Sequence, residues 1–234
     1  MKTVELLRQL QAVDSALDAN RERLGRVEAE LADRSEVLAA RRARAEREAA
    51  LKPIEADQRD LELEIDTLRG QLDEIEKKLY GGRIGDAKEL NNLNREANQF
   101  KALISTREDR LLELLVAAEQ AASDLAAADD RLRQIEAARR ALEAGLTEER
   151  GQLRTAIEGG QVEQSSLREG IDAAALRTYD NLRRSRGGLA VAEIRQRTCQ
   201  GCRISLPASE EQRARHGSAL VLCQSCGRIL YAAL

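Results

Sequence analysis

The sequence predicts a mainly α protein: a long antiparallel coiled-coil hairpin, then a short helix, then a small cysteine-clamped module of antiparallel β. Three observations predict it. Apolar residues recur at alternating spacings of three and four along most of the chain. A glycine-rich stretch, LYGGRIGDAKEL, interrupts that period. The four cysteines of the chain stand as two Cys-x2-Cys pairs in its last part.

Composition excludes a large globular core. The 234 residues include no tryptophan, one phenylalanine and three tyrosines, and aromatics carry much of a core's buried area. Charged residues make up 34% of the chain, the mixture of a coiled coil or long helix. Arginine outnumbers lysine 32 to 6, which we read as GC-rich coding. The first residues, MKTVELLRQLQAVDSALDAN, are amphipathic and carry both charge signs, unlike a secretory leader. The longest apolar run, ILYAAL, is six residues, where a membrane span needs about 20. The expectation is a cytoplasmic protein with no membrane partner. In a reducing compartment, paired cysteines point to metal before disulfide.

The first arm is predicted over roughly residues 3–79, about 115 Å of helix. One seam runs Leu10, Val13, Leu17, Leu24, Val27, Leu31 and Leu38, with Asn20 and Arg34 as polar interruptions. A second runs Leu51, Ile54, Leu61, Ile65, Leu68, Leu72, Ile75 and Leu79, with Gln58 polar. A 3.5-residue period held this long marks a coiled-coil seam. The two seams differ in register. The slip is expected in LAARRARAEREAALKP, ending beside Pro53, where a proline removes a helical hydrogen bond; a kink or local rewinding is expected there, with the helix continuing beyond it. RRARAER, 41–47, reads as a solvated face because Glu46 interrupts it.

The glycines of the tip, near 80–86, end the first arm. Asp86 is the expected N-cap of the second, with Glu89 three residues on. From Leu90 to Ala156 the alternating series has twenty positions, of which seventeen are apolar; Arg107, Arg139 and Glu149 are the exceptions. A short turn between long helices demands antiparallel packing. With the tip at 83, residue i faces about 166 − i, which sets Ala-rich 39–50 against Ala-rich 116–127. The predicted hairpin thus covers 1–163. A connecting helix follows within 164–188, with Leu176, Tyr179 and Leu182 on one face and Gly187–Gly188 as its stop.

Residues 189–234 carry Cys199-x2-Cys202 and Cys223-x2-Cys226. Two such turns complete the closed tetrahedron of structural zinc. Strand-like LAVAEIRQR, RISL, ALVL and RILY flank the cysteines, and Pro207 with Ser209 suggests a short capped helix between the pairs. The reading is a C4 zinc ribbon holding one structural Zn2+. A redox Cys-x-x-Cys would sit at a helix start in a βαβ unit, and the sequence shows none. His216, the single histidine, reads as a solvated loop residue.

The runs YDNLRRSRGGLAVAEIRQRTCQGCRISLP and LVLCQSCGRILY resemble a bacterial family of C4-type zinc-ribbon proteins with an N-terminal coiled-coil hairpin. Tyr179, Gly187, Gly188, Cys223, Cys226, Gly227, Arg228, Leu230 and Tyr231 match its motif, and LYGGRIGDAKELNNL is similar to its tip. The resemblance implies a non-enzymatic, transcription-associated protein whose ribbon binds nucleic acid.

Charge supports the same reading independently. Residues 177–234 hold ten arginines and four acids, formally +6, or about +4 with four thiolates and Zn2+ counted. Residues 1–176 carry net −9. Arg183, Arg184, Arg186, Arg195, Arg197, Arg203, Arg213, Arg215 and Arg228 are the candidate phosphate contacts. The alternative is a protein–protein adaptor whose ribbon is purely structural. Its candidate surface is the tip: Tyr80, Arg83, Ile84 and Asp86. No phosphate loop, nucleophile–base pair or open metal position supports an enzyme; GGRIGD lacks the strand that a dinucleotide loop requires.

Overall fold

The computed structural model describes residues 3–82, 86–216 and 219–232. Among the described residues five helices and three short strands follow in order: α1 Thr3–Ala32, α2 Ser35–Tyr80, α3 Ala87–Glu169, α4 Ala173–Ser185, β1 Val191–Arg195, β2 Thr198–Cys199, α5 Ala208–His216 and β3 Ile229–Tyr231. Among the described residues no helix is long and apolar enough to cross a membrane. The chain divides into two compact units: Arg34–Leu142, and Met1–Asp33 with Glu143–Leu234.

In the first unit α2 runs antiparallel to α3. Ile65, Leu68 and Ile104 form its buried cluster, with Leu61, Leu72, Phe100 and Leu111 packed around them. The facing rule is off by about one helical turn. It placed Ile65 opposite residue 101 and Glu64 opposite residue 102; Ile65 packs with Ile104, and Glu64 accepts from Arg107 at 2.8 Å. The stretch 39–50 therefore meets acids of α3 at and beyond the C-terminal end of the expected 116–127. Arg41 bonds Glu136 at 2.7 Å, Arg44 bonds Asp129 at 2.9 Å, and Arg47 lies 3.6 Å from Asp124. RRARAER is thus a row of interhelical ion pairs. Two of the three polar exceptions in the α3 seam have the same explanation: Arg107 pairs with Glu64, and Glu149 with Arg23 at 2.6 Å. Exposed pairs of this kind contribute little stability each, about 0–1 kcal/mol; they fix partner and register.

The slip falls elsewhere than expected. α2 continues through Pro53, and the first arm is interrupted between Ala32 and Ser35 instead. Helical bonding ends with Asp33 N–H to Ala29 O at 3.1 Å and resumes with Leu38 N–H to Arg34 O at 3.0 Å. Asp33 and Ser35 are residue types whose side chains compete with helical backbone bonds. Beyond the interruption the core position is Val37, 8% exposed, while Leu38 is 50% exposed. Leu51 stands two heptads after Val37, so the second register begins here rather than beside Pro53.

At the tip, Asp86 Oδ1 accepts from Lys88 N–H at 3.0 Å, the expected N-cap. α3 then runs past 163 to Glu169, with Gly159 and Gly160 inside it. Gly160 lies against α1: a Cβ there would stand 2.8 Å from Leu17 Cδ2. The connecting segment is accordingly divided. Its first residues complete α3, and α4 starts afresh from the cap Asp172, whose Oδ1 accepts from Ala174 and Ala175 N–H at 3.0 Å.

The ribbon sheet has the order β2-β1-β3. β1 and β2 pair antiparallel, as expected; β3 runs parallel to β1, with Val191 opposite Ile229. Alternation along these strands serves two cores. Val191 and Ile229 face a cluster with Val4, Leu7 and Leu10 of α1 and Ala175 and Tyr179 of α4. Ala192, Ile194 and Leu230 face the cysteines. The ribbon is therefore seated on α1 and α4 in addition to its metal site. α5 starts at Ala208, and the Pro207 carbonyl accepts from Glu210 and Glu211 N–H at 3.0 and 3.3 Å, so Ser209 lies inside the helix rather than at its cap.

Candidate metal centre and basic ribbon surface

The four Sγ atoms of Cys199, Cys202, Cys223 and Cys226 lie within 4.8 Å of one another. Cys199 to Cys226 is 3.9 Å and Cys202 to Cys223 is 3.8 Å. A tetrahedron with Zn–S bonds of about 2.3 Å has edges of about 3.8 Å, so the donor set fits zinc. A disulfide needs about 2.05 Å. Four thiolates fill the coordination shell of one structural Zn2+ and leave no open position.

Each pair sits in a knuckle, and the two knuckles repeat one another. Thr198–Ser205 and Leu222–Ile229 close them as antiparallel bridges. Cys199 N–H donates to Ile204 O at 3.0 Å, and Cys223 N–H to Arg228 O at 2.8 Å. Arg203 N–H donates to Cys199 O, and Gly227 N–H to Cys223 O, both at 2.7 Å. The residue after each second cysteine takes left-handed backbone: Arg203 at φ 62° and Gly227 at φ 74°. A non-glycine residue there costs roughly 1–2 kcal/mol.

Burial pushes the metal-free Cys199 thiol up to about 12, and raises Cys223 as well. At Cys226 burial is outweighed by the backbone N–H and side chain of Arg228 and by neighbouring thiols, bringing it down to about 7.

The nine candidate arginines divide by what they touch. Arg183 belongs to a buried network: its Nη2 reaches Asp14 O at 3.1 Å, its Nε lies 3.3 Å from Asp14 Oδ2, and it pairs with Asp18. Arg228 is a tie. Its guanidinium donates to Leu189 O at 2.8 Å and to Gly201 O and Arg186 O at 3.2 Å. Its side chain crosses Gly201, where a Cβ would meet Arg228 Cδ at 2.6 Å. Both guanidiniums are thus engaged within the fold. Arg184 bonds Asn181 at 2.7 Å, Arg195 pairs with Glu193 and Arg215 with Glu211, each at 2.8 or 2.7 Å. Arg186, Arg197, Arg203 and Arg213 are exposed, with no side-chain hydrogen bond or ion pair among the described residues. Three of the region's four acids are paired, Asp180 with Arg168, Glu193 with Arg195 and Glu211 with Arg215; the fourth, Glu210, is fully buried, with no hydrogen-bond partner for its carboxylate oxygens among the described residues.

Residues that position the ribbon escaped the sequence reading. Gln11 of α1 bonds Val191 twice: Val191 N–H donates to its Oε1 at 2.6 Å, and its Nε2 donates to Val191 O at 3.0 Å. Its amide extends the edge of β1 as a neighbouring strand would. Asp14, 2% exposed, accepts from Tyr179 and Gln164. Arg8 lies 5.2 Å over the Tyr231 ring. At the tip Tyr80 is 78% exposed; Arg83 and Ile84 lie outside the described residues.

A long helical hairpin carrying a C4 ribbon defines the class. The chain belongs to the CT398-like coiled-coil hairpin family, whose model matches residues 5–187, and a C4-type zinc ribbon model matches residues 198–230. The solved structure of CT398 from Chlamydia trachomatis is similar at 22% identity and TM-score 0.72, over 99% of this chain and 98% of that one. A protein from Mycobacterium smegmatis is similar at 21% identity and TM-score 0.64, over 98% and 99%. No curated protein matches.

Proposed function

We propose that this is a non-catalytic, cytoplasmic nucleic-acid-binding protein whose zinc ribbon contacts the sugar–phosphate backbone, in the transcription-associated setting that the family resemblance implies. The observation that carries the reading is the charge balance of the ribbon. Every carboxylate there is paired or buried, and Arg186, Arg197, Arg203 and Arg213 are left exposed. Base stacking plays no part at the ribbon: Tyr179 has no exposed surface and Tyr231 lies under Arg8. Binding is therefore electrostatic, weakly sequence-specific and salt-dependent. A gel shift of zinc-loaded protein with RNA and DNA probes, single- and double-stranded, tests this. Retardation at low salt that fades as salt rises is expected. No retardation at low salt, or retardation indifferent to salt, rejects it.

A second reading rests on Tyr80. A tyrosine with 78% of its surface exposed beside a helix end makes a contact point for a protein partner. In that adaptor reading the ribbon is structural only. Crosslinked partners that survive nuclease treatment and vanish with Tyr80→Ala support it; partners lost on nuclease treatment count against it.

A further inference from the structure

The two knuckles share backbone hydrogen bonds but differ at the residue that must turn left-handed. The second knuckle uses Gly227, the ordinary choice. The first uses Arg203 at φ 62°. The β1–β2 turn makes the same substitution twice. Arg195 and Thr198 pair across it, and its two central residues, Gln196 and Arg197, stand at φ 48° and 57°. Turns of that shape favour Asn-Gly or Gly-Gly. So three strained positions in the first half of the ribbon carry long hydrogen-bond donors where glycine or asparagine would be easier. Arg197 and Arg203 do not recover the strain through side-chain bonds, because neither makes one among the described residues. Strain held at a spot with no internal return points to an external one.

Two of those three, Gln196 and Arg203, edge one surface feature, and Arg197 stands in the turn between two of its lining residues. Arg195, Gln196, Thr198, Gln200 and Arg203 line a shallow depression. All five offer hydrogen-bond donors, and no carboxylate lines it. The Glu193 carboxylate nearby is held by Arg195 at 2.8 Å.

We infer that the first knuckle is the nucleic-acid face of the ribbon: a polynucleotide backbone lies along this depression, with phosphates on Arg195 and Arg203, which line it, and on Arg197 in the adjoining turn. The second knuckle, which has Gly227 in the place of Arg203 and whose Arg228 is tied inward, is the structural half. This inference rests on the nucleic-acid reading above and assigns it a place.

The test exploits a sign difference. Arg203→Gly gives the first knuckle the residue of the second. If the arginine serves the fold, the change weakens zinc retention and lowers Tm. If it serves a ligand, the fold keeps or gains stability while binding falls. Full-length, zinc-loaded protein is titrated against fluorescein-labelled single-stranded RNA and duplex DNA of mixed sequence, by anisotropy over a salt series. Tm and zinc content are measured alongside.

Arg203→Gly is expected to keep its zinc, match or exceed the wild-type Tm, and lower the slope of log affinity against log salt by about one. The triple Arg195, Arg197 and Arg203→Ala variant is expected to lower that slope by about two to three. Arg203→Lys restores the slope. Arg213→Ala, on α5, is expected to leave more of the slope than the triple variant does. If wild type binds and the Arg203 and triple variants bind as it does, the assigned face is wrong while the nucleic-acid reading stands. Loss of zinc or of Tm in Arg203→Gly also overturns the inference, since it makes Arg203 a fold residue. If wild type binds neither probe at low salt, the reading itself fails and the face with it.

Discussion

Tyr179 donates its phenolic hydrogen to Oδ2 of Asp14 at 2.6 Å, joining residues 165 positions apart in a fully buried contact. Burial first, and the Asp14 carboxylate second, push the phenol well above its usual range, so it remains a donor. Gln164 and Arg183 complete the shell around the carboxylate. α1, α3 and α4 thus meet on one acid. Tyr179→Phe keeps the ring and removes the donor. It is expected to destabilise the protein by about 1.5–3 kcal/mol, the range for hydrogen bonds to charged groups. Asp14→Ala takes the acceptor from both Tyr179 and Gln164 and leaves Arg183 only the exposed Asp18 as counter-charge, and is expected to cost more than Tyr179→Phe. Thermal unfolding followed by circular dichroism reads both; a Tm equal to wild type in Tyr179→Phe would show that the contact is idle.

Gln11 predicts a local effect rather than a global one. Its amide holds both backbone groups of Val191. Gln11→Leu keeps the bulk and strands the pair, at about 1–3 kcal/mol for the unmet groups. Amide exchange at Val191 should accelerate, while exchange along α2 stays at the wild-type rate. Unchanged protection at Val191 would count against the docking role.

Metal removal divides the molecule by support. The ribbon depends on zinc, a ligand worth roughly 10–16 kcal/mol in small zinc domains at neutral pH. Chelation should unfold residues around the cysteines and leave most helical circular dichroism intact. Acid acts in the same direction. The metal-free Cys199 thiol holds its proton up to about 12, so zinc must displace that proton, and apparent affinity falls as pH falls. A chromogenic zinc titration at two pH values checks the sign, and proton release on zinc addition checks the cause.

The register beyond the interruption is open to a paired test. Val37 is 8% exposed and Leu38 50%. Val37→Glu should destabilise by a few kcal/mol, since a carboxylate there is buried unpaired. Leu38→Glu should stay within about 0.5 kcal/mol of wild type. The reverse order would restore the register read from Leu38.

Adjacent glycines give opposite expectations. A Cβ at Gly159 would meet nothing within 4 Å, whereas at Gly160 it would stand 2.8 Å from Leu17 Cδ2. Gly159→Ala should stabilise by about 1 kcal/mol through helix propensity. Gly160→Ala should lose that gain against Leu17, which is 1% exposed and has little room to yield. Denaturant midpoints of the two variants give the comparison.

What was legible in the sequence was local. The alternating apolar period gave the helices, the glycines at the tip gave the reversal, and Cys-x2-Cys gave all four ligands. Each is a signal spanning a few residues. What was not legible depends on distant partners. Nothing near Val191 announces Gln11, 180 positions away. The one available hint was Asp14, a carboxylate between Leu10 and Leu17 on the buried face of α1, which the series through Val13 stepped over. Arg228 looked like surface charge because a guanidinium tied to three carbonyls and a solvated one have the same spelling. The interruption at 33–34 hid for another reason: Asp-Arg-Ser-Glu is a helix-start signal inside a strongly periodic run, and the proline twenty positions on drew the slip toward itself. β3 pairs parallel with β1, and both strands pack on α1, a tertiary arrangement that no strand pattern encodes.

The interruption between Ala32 and Ser35 also bears on how such a protein can vary. Each side keeps its own phase, so whole heptads could be added to α2 and matched in the facing part of α3 without disturbing the residues of α1 that clasp the ribbon. Evolution is then free to tune the reach of the α2–α3 hairpin as a separate trait, leaving the metal-bearing end untouched.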